Sequence, residues 1–210
     1  MVRPPSRIAK RCPFSIATYL MPQVVNRFSQ AFPDAELFME AGHSDFAFQQ
    51  LTDGLVNLAF AAAFPRILSQ AQTLLRLHDE MVVAARTNHE LAGVQNIPIS
   101  QLWHYQPVII HWGRAFDAYV ESLQQMSQVQ KPMVRVPLPA ALPMVQQPQT
   151  ITFVPRRLTA VSDLIELNVP DFQFDWDIVL ITRMGRELSE LEWGFVDLVT
   201  AVWHNSEPGQ

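Results

Sequence analysis

The stretch DGLVNLAFAAAF, residues 53–64, sets a glycine before a run of small and apolar residues that one amide, Asn57, interrupts. Gly54 suits the position just past a helix end, where a left-handed backbone costs little only for glycine. The residues after it are apolar enough to predict a buried strand. We expect the Asn57 side chain to have a structural role, since an amide can tie neighbouring backbone groups together without burying a charge.

The residues upstream of this strand alternate strand and helix patterns. A short apolar run at 7–10 comes first, and a helix over 17–32 follows, ended by Pro33. Residues 36–40 (ELFME) read as a second strand, and a short helix over 45–53 leads into the quoted stretch. Strand, helix, strand, helix, strand is half of a doubly wound sheet, which predicts an α/β fold with mostly parallel strands.

The pattern continues downstream of residue 64. The sequence predicts strands at 73–85, 107–110 and 176–182, and helices at 98–103, 114–127 and 158–167, the last as a short helix with an extension. Prolines between 128 and 155 keep the segments there short. A capping box, with Ser189 as N-cap and Glu192 reaching back to it, starts the final helix.

Composition restricts the class of protein. The chain has 210 residues, 49% of them hydrophobic, which suits a folded domain with a sizeable core. A net charge of −5 is unfavourable for binding duplex DNA. The single cysteine, Cys12, reads as a free structural thiol and fits a reducing cytoplasm. The longest apolar run, residues 58–64, is too short for a membrane span, and the N-terminus lacks a signal-peptide pattern, so we expect a cytoplasmic protein.

Motifs for catalysis or cofactor binding are missing from the sequence. There is no glycine-rich phosphate loop and no HExxH or GxSxG pattern, and no two histidines are spaced four apart as in a local metal site. We therefore predict no catalytic residues, no metal ligands and no cofactor. An enzyme on an α/β scaffold stays an unsupported alternative.

Two serines follow predicted strands at the starts of helices. Ser15 lies between the first strand and the first helix, and Ser44 follows the second strand. Each hydroxyl could simply cap its helix. Alternatively, both could face a crevice at the carboxyl ends of the strands, where free N–H groups and the helix dipole favour an anion such as a carboxylate.

The order of several short motifs resembles the effector-binding domain of LysR-type transcriptional regulators over about residues 7–203. In that family a serine or threonine precedes a helix with Leu-x-Pro, as Ser15 precedes Leu20 and Pro22 here. A strand ending in Gly-x-Ser follows, matched by Gly42-His43-Ser44. Twelve residues later the family has Gly-x-Leu-Asp-Leu-Ala-Ile, and this chain has GLVNLAF, with Asn57 in place of the aspartate.

The second half carries weaker matches to the same family. The family's Val-Val-Ala strand before His-Pro-Leu corresponds to MVVAARTNHEL, and its next helix corresponds to PISQL at 98–102. Near the second hinge the family has Val-x-x-Gly-x-Gly-Ile-x-x-Leu-Pro, where this chain has VQQPQTITFVP. Pro148 and Thr150 replace the two glycines, a departure that keeps a degenerate pocket open as an alternative.

The resemblance implies a fold of two Rossmann-like α/β subdomains joined by two crossover segments, like type II periplasmic binding proteins. Subdomain I would be residues 1–79 plus 160–210, and subdomain II would be residues 80–159. The winged helix-turn-helix that precedes this domain in the family has no counterpart in the sequence. We therefore expect the chain to contact DNA only through a separate N-terminal domain.

The family also implies where an effector would bind. Its first contacts map to Ser15 and to the turn His43-Ser44, and the end of the third strand adds Ala62. On subdomain II the loop after residue 110 would add Trp112, Gly113 and Arg114. Arg114 could pair with an acidic effector and Trp112 could wall it; alternatively, Arg114 is solvated and Trp112 packs in the core.

The function implied by the resemblance is ligand sensing, with a small-molecule effector between the subdomains and relay through a homodimer or homotetramer. Three alternatives stay open: a solute-binding protein, an enzyme, and an assembly domain with a degenerate pocket.

Overall fold

The computed structural model describes residues 7–129 and 131–205. The chain forms two compact units, the first made of residues 1–78 and 176–210 and the second of residues 79–175. Within the described ranges, no helix has both the length and the apolar character needed to span a membrane.

The first unit is a β-sheet whose strands alternate with helices along the chain. Its elements are β1 (Arg7–Cys12), α1 (Phe14–Tyr19), α2 (Met21–Ala31), β2 (Glu36–Ala41), α3 (Ser44–Thr52), β3 (Leu58–Ala62), α4 (Pro65–Leu68), the first half of β4 (Ala71–Arg86), β9 (Asp175–Arg183) and α9 (Glu190–Asn205). The strand order is β2-β1-β3-β9-β4, with β1 parallel to both β2 and β3 and β9 antiparallel to β3.

The second unit has the same architecture on a smaller scale. Its elements are the second half of β4, α5 (Ile99–Leu102), β5 (Gln106–Ile109), α6 (Arg114–Gln125), β6 (Val134–Arg135), α7 (Leu138–Met144), β7 (Thr150–Pro155), α8 (Arg156–Thr159) and β8 (Leu164–Glu166). The strand order is β4-β7-β5-β6, with β5 parallel to its two neighbours and β8 antiparallel to β4. The predicted α/β class is confirmed. Parallel pairing joins β1 to β2 and β3 and joins β5 to β6 and β7, whereas β9 runs antiparallel to β3, and β7 and β8 run antiparallel to β4.

Three sequence-based assignments differ from the structure. The helix predicted over 17–32 is two helices that meet at Leu20, because Pro22 has no N–H to continue the first helix. The helix predicted over 158–167 ends at Thr159, and Leu164–Glu166 is a strand on β4 instead. Residues 160–175 belong to the second compact unit, whereas the family resemblance implied that they belong to subdomain I.

Two predicted helix termini are confirmed at the level of single hydrogen bonds. Gly54, at φ 76°, follows α3, and its N–H donates to the Leu51 carbonyl while the Leu55 N–H donates to the Gln50 carbonyl. This is a Schellman motif. At α9 the Ser189 N–H donates to Glu192 Oε2 at 2.8 Å, and the Glu192 N–H donates to Ser189 Oγ at 3.3 Å.

Lys10 is a basic residue buried in the core of the first unit. Its side chain is 1% exposed, and its Nζ lies against the rings of Phe28 and Phe195 without a hydrogen-bond partner among the described residues. Burial lowers the pKa of Lys10 to about 5, against an opposing effect of Glu192. Below pH 10.5 the amine is protonated in the unfolded chain, whereas in the folded chain it stays neutral until the pH falls to about 5. The folded state therefore loses stability as the pH falls from 10.5 to about 5.

Replacing this buried amine should stabilise the protein. We expect Lys10→Met to raise the free energy of unfolding by about 2 kcal/mol at pH 6, or ~5 °C in melting temperature, since it removes an unpaired polar group. The gain in unfolding free energy should be smaller at pH 9, because keeping the Lys10 amine neutral in the folded state costs less as the pH approaches 10.5. Thermal unfolding at both pH values measures it, with Lys131→Met, at a half-exposed lysine, as control. A lower melting temperature for Lys10→Met would show that the amine stabilises the core.

Candidate functional site

The carboxyl ends of three parallel strands in the first unit lie at one edge of the sheet. β1 ends at Cys12, β2 at Ala41 and β3 at Ala62. The Gly42 N–H donates to the Cys12 carbonyl at 2.9 Å, so the turn after β2 is fastened to the end of β1. In open α/β sheets this edge is where ligands bind.

Ser44 is the best-defined polar side chain at this edge. It is the first residue of α3, and its Oγ accepts a hydrogen bond from the Ala62 N–H at 2.9 Å. The bond joins the start of α3 to the end of β3, so the structure brings the predicted residues Ser44 and Ala62 together. His43 precedes them in extended conformation as the helix N-cap, and its exposed ring meets Phe14 edge to face at 6.1 Å between centroids.

Ser15 has a different environment. It is the second residue of α1, whose N-cap is Pro13, and its side chain is fully buried. Its Oγ has no hydrogen-bond partner among residues 7–129 and 131–205. The interpretation that Ser15 and Ser44 are helix caps is therefore wrong, since Pro13 and His43 occupy the N-cap positions and neither hydroxyl bonds the first turn of its own helix.

Cys12 lies beside these residues but offers no reactive thiolate. Its side chain is fully buried, and burial raises the pKa of the thiol to about 12, against a smaller opposing effect of Lys10. A thiol with such a pKa is almost wholly protonated at neutral pH and is a poor nucleophile.

The predicted residues of the second unit lie at the start of α6. Gly113 is its N-cap, at φ 126°, a conformation that side-chain-bearing residues rarely adopt. Trp112 is buried, and its Nε1 donates to the Phe153 carbonyl at 2.8 Å. The indole is thus part of the core of this unit. Arg114 is exposed and forms no ion pair within the described ranges, so its charge is available to a ligand.

The amide of Asn57 does not have the role that the sequence suggested. The main chain of this residue makes the structural bonds: its N–H donates to the Ala9 carbonyl at 3.2 Å, and its carbonyl accepts from Thr182 Oγ1 at 3.0 Å. The side chain has no hydrogen-bond partner in the part of the chain that the structure describes. Both main-chain partners come from other strands of the sheet, which local sequence patterns do not specify.

Sequence reasoning also missed Arg183. Its Nη1 donates to the carbonyls of Leu51 and Val56, both at 3.1 Å, and so holds the loop between α3 and β3. The arginine lies more than a hundred residues away in the chain, and only its position at the end of a strand hinted at a role.

A family profile and a related sequence point to the same protein family. The profile of the LysR substrate binding domain matches residues 10–204. A probable nitrogen assimilation transcriptional activator of Synechococcus elongatus is 33% identical over 109 residues, which cover 51% of this chain and 35% of that protein. The chain therefore matches about a third of the length of this relative.

Solved structures show the same fold. The regulatory domain of Synechocystis CcmR, in complex with 2-PG, has a TM-score of 0.75 at 21% identity, over 95% of this chain and 98% of that one. The effector binding domain of QuiR, in complex with shikimate, has a TM-score of 0.72 at 17% identity, over 96% and 98%. These similarities confirm the predicted fold class of two α/β subdomains, like type II periplasmic binding proteins.

The thiol of Cys12 should be unreactive in the folded protein. We expect Ellman's reagent to titrate less than about a tenth of the thiol in native buffer within minutes and all of it in denaturant, because the folded state buries the group and raises its pKa. Rapid labelling of the native protein would show instead that the carboxyl end of β1 opens readily.

Proposed function

The chain belongs to the family of LysR substrate-binding domains, and on this premise we propose that it senses a small effector that carries a carboxylate or a similar hydrogen-bond acceptor. The hydrogen bond from the Ala62 N–H to Ser44 Oγ is the observation that supports this most strongly. A hydroxyl has one proton to donate. Ser44 Oγ accepts from the Ala62 N–H, and its proton has no hydrogen-bond partner among the described residues, so the hydroxyl can donate to a ligand acceptor.

The start of α3 adds to this preference for an acceptor. The first N–H groups of a helix have no partner within it, and the helix dipole favours negative charge there. Ser44 is half-buried, so a ligand can reach its hydroxyl. Asp45, the acidic residue of the first turn, is paired with Arg66 at 2.6 Å, which offsets its repulsion of an anion.

The other predicted contacts have unequal support. An unpaired buried hydroxyl costs about 1–3 kcal/mol, so a ligand acceptor that reached Ser15 would be stabilising. The full burial of Ser15 requires a local rearrangement first. In the second unit, Arg114 has an exposed positive charge that suits a carboxylate, whereas the buried indole of Trp112 and the glycine conformation at Gly113 suit a role in shaping the loop.

We further propose that the domain is the regulatory part of a cytoplasmic bacterial transcription regulator. In this proposal the protein acts as a homodimer or homotetramer, and DNA binding belongs to a separate N-terminal domain. We propose no catalytic role for the domain, and the similarity to a probable transcriptional activator supports this. Light scattering of the purified chain would give its oligomeric state.

Ligand-induced stabilisation tests the proposed function. At a concentration of 100 times Kd, a bound carboxylate should raise the melting temperature by about 5 °C or more, since binding to the folded state adds about 2.7 kcal/mol. A panel of small aliphatic and aromatic carboxylates, each beside its neutral amide, would be screened by thermal shift. We expect a carboxylate hit with a weaker or absent effect of its amide.

Variants then locate the site of that hit. Ser44→Ala should weaken binding about tenfold, the effect of one hydrogen bond to a charged group. Ser29→Ala serves as control, since Ser29 is an exposed helical serine of α2 whose hydroxyl, among the described residues, bonds the Val25 carbonyl alone. Arg114→Gln should weaken the binding of carboxylates and leave the binding of their neutral amides unchanged. No stabilisation by any compound, with Ser44→Ala behaving like Ser29→Ala, would favour an assembly domain with a degenerate pocket.

A further inference from the structure

A separate pocket of about 340 Å³ opens on the α3 side of the first unit's sheet. It lies beside the start of β3, whereas Ser44 bonds the last residue of that strand. Four residues of strand, about 13 Å, separate these two positions. The residues of the pocket that matter here are Ala9, Arg11, Phe38, Gln50, Leu55 and Asn57.

The pocket results from the alternation of side chains along β1. Ile8 and Lys10 are buried on one face, and Ala9 and Arg11 lie on the other. The parallel register sets Ala9 beside Phe38. The methyl group of Ala9 is too small to fill the space between Phe38 and the loop after α3, and the pocket is this space.

The wall formed by that loop is held in place before any ligand binds. The Schellman motif fixes Gly54 and Leu55, and Arg183 holds the Val56 carbonyl. Both main-chain groups of Asn57 are bonded to neighbouring strands. A preformed wall lowers the entropy cost of binding.

The lining combines solvent-accessible polar groups with exposed apolar surface. The half-buried amides of Gln50 and Asn57 have no side-chain hydrogen bond within the described residues. Leu55 is 63% exposed and Phe38 is 40% exposed. In a Schellman motif, the residue after the glycine often makes a hydrophobic contact with the helix residue five positions before it. Here these two residues are Leu55 and Gln50, and Gln50 is polar. Leu55 therefore leaves apolar surface at the rim.

Arg11 gives the pocket its formal charge, which is positive. Its guanidinium pairs with Glu40 and stacks on the ring of Phe46 at 4.4 Å. These contacts use only part of a group that has five N–H donors in a planar fork. Among the described residues, no acidic side chain lines the pocket.

We propose that this pocket is a second small-molecule site, for a carboxylate with a flat apolar body. The carboxylate would accept from Arg11 and from the amides of Gln50 and Asn57, and the body would lie over Ala9 between Phe38 and Leu55. A volume of about 340 Å³ is at the small end of ligand pockets and suits a single ring with one substituent. This inference is independent of the effector site at Ser44.

Benzoate and its neutral analogue benzamide are the probes. In nitrogen-15 NMR spectra of the whole chain, benzoate should shift the side-chain amide signals of Gln50 and Asn57, and benzamide should do so at least tenfold more weakly. Ala9→Leu, which fills the pocket, should abolish these shifts. Melting curves of each variant establish that it is folded.

Two adjacent glutamines supply a matched charge pair. Gln50→Glu places a negative charge inside the pocket, and Gln49→Glu places the same charge on the neighbouring exposed residue of α3. We expect Gln50→Glu to weaken benzoate binding about tenfold through charge repulsion, and Gln49→Glu and Ser44→Ala to change it less than about twofold. Equal effects of the two glutamates, equal binding of benzamide, or no shift of the two amide signals at the solubility limit of benzoate would overturn the proposal.

Discussion

The parallel pairing of β1 with both β2 and β3 is the constraint on which the first unit depends. It brings three strand ends to one edge of the sheet, where the turn after β2 is bonded to the end of β1. The same register determines the faces of β1, so that Lys10 enters the core while Ala9 and Arg11 stay on the α3 side. One pairing therefore creates both the sheet edge proposed for the effector and the separate pocket.

The Ser44 hydroxyl links this architecture to recognition. Accepting from the Ala62 N–H satisfies a backbone donor at the end of β3 and orients the hydroxyl at the same time. The cost of ordering the side chain is thus met by folding rather than by ligand binding. Such preorganisation favours ligand acceptors, because the bond from Ala62 fixes the position of an oxygen whose proton has no hydrogen-bond partner among the described residues.

The sequence predicted correctly the features that depend on interactions between neighbouring residues in the chain. The capping box of Ser189 and Glu192 and the left-handed Gly54 depend on a few neighbouring residues, and both are present as predicted. The family motifs located Ser44 and Ala62 but could not show the bond between them, since it spans eighteen residues. β8 was mistaken for helix because its strand character comes from pairing with β4, whose partner residues are about eighty positions earlier. Asn57 was misjudged for a similar reason: its backbone partners come from distant strands, and its side-chain amide has no partner in the part of the chain that the structure describes.

The most direct test of the account is a crystal structure of the chain with a bound carboxylate effector. The account predicts a carboxylate oxygen about 2.7 Å from Ser44 Oγ, a distance typical of a hydroxyl donating to an anion, with the bond from the Ala62 N–H retained. An effector that places a hydrogen-bond donor on Ser44 Oγ, or a serine that leaves Ala62 to bind it, would contradict the central claim that Ser44 is oriented by the fold to donate.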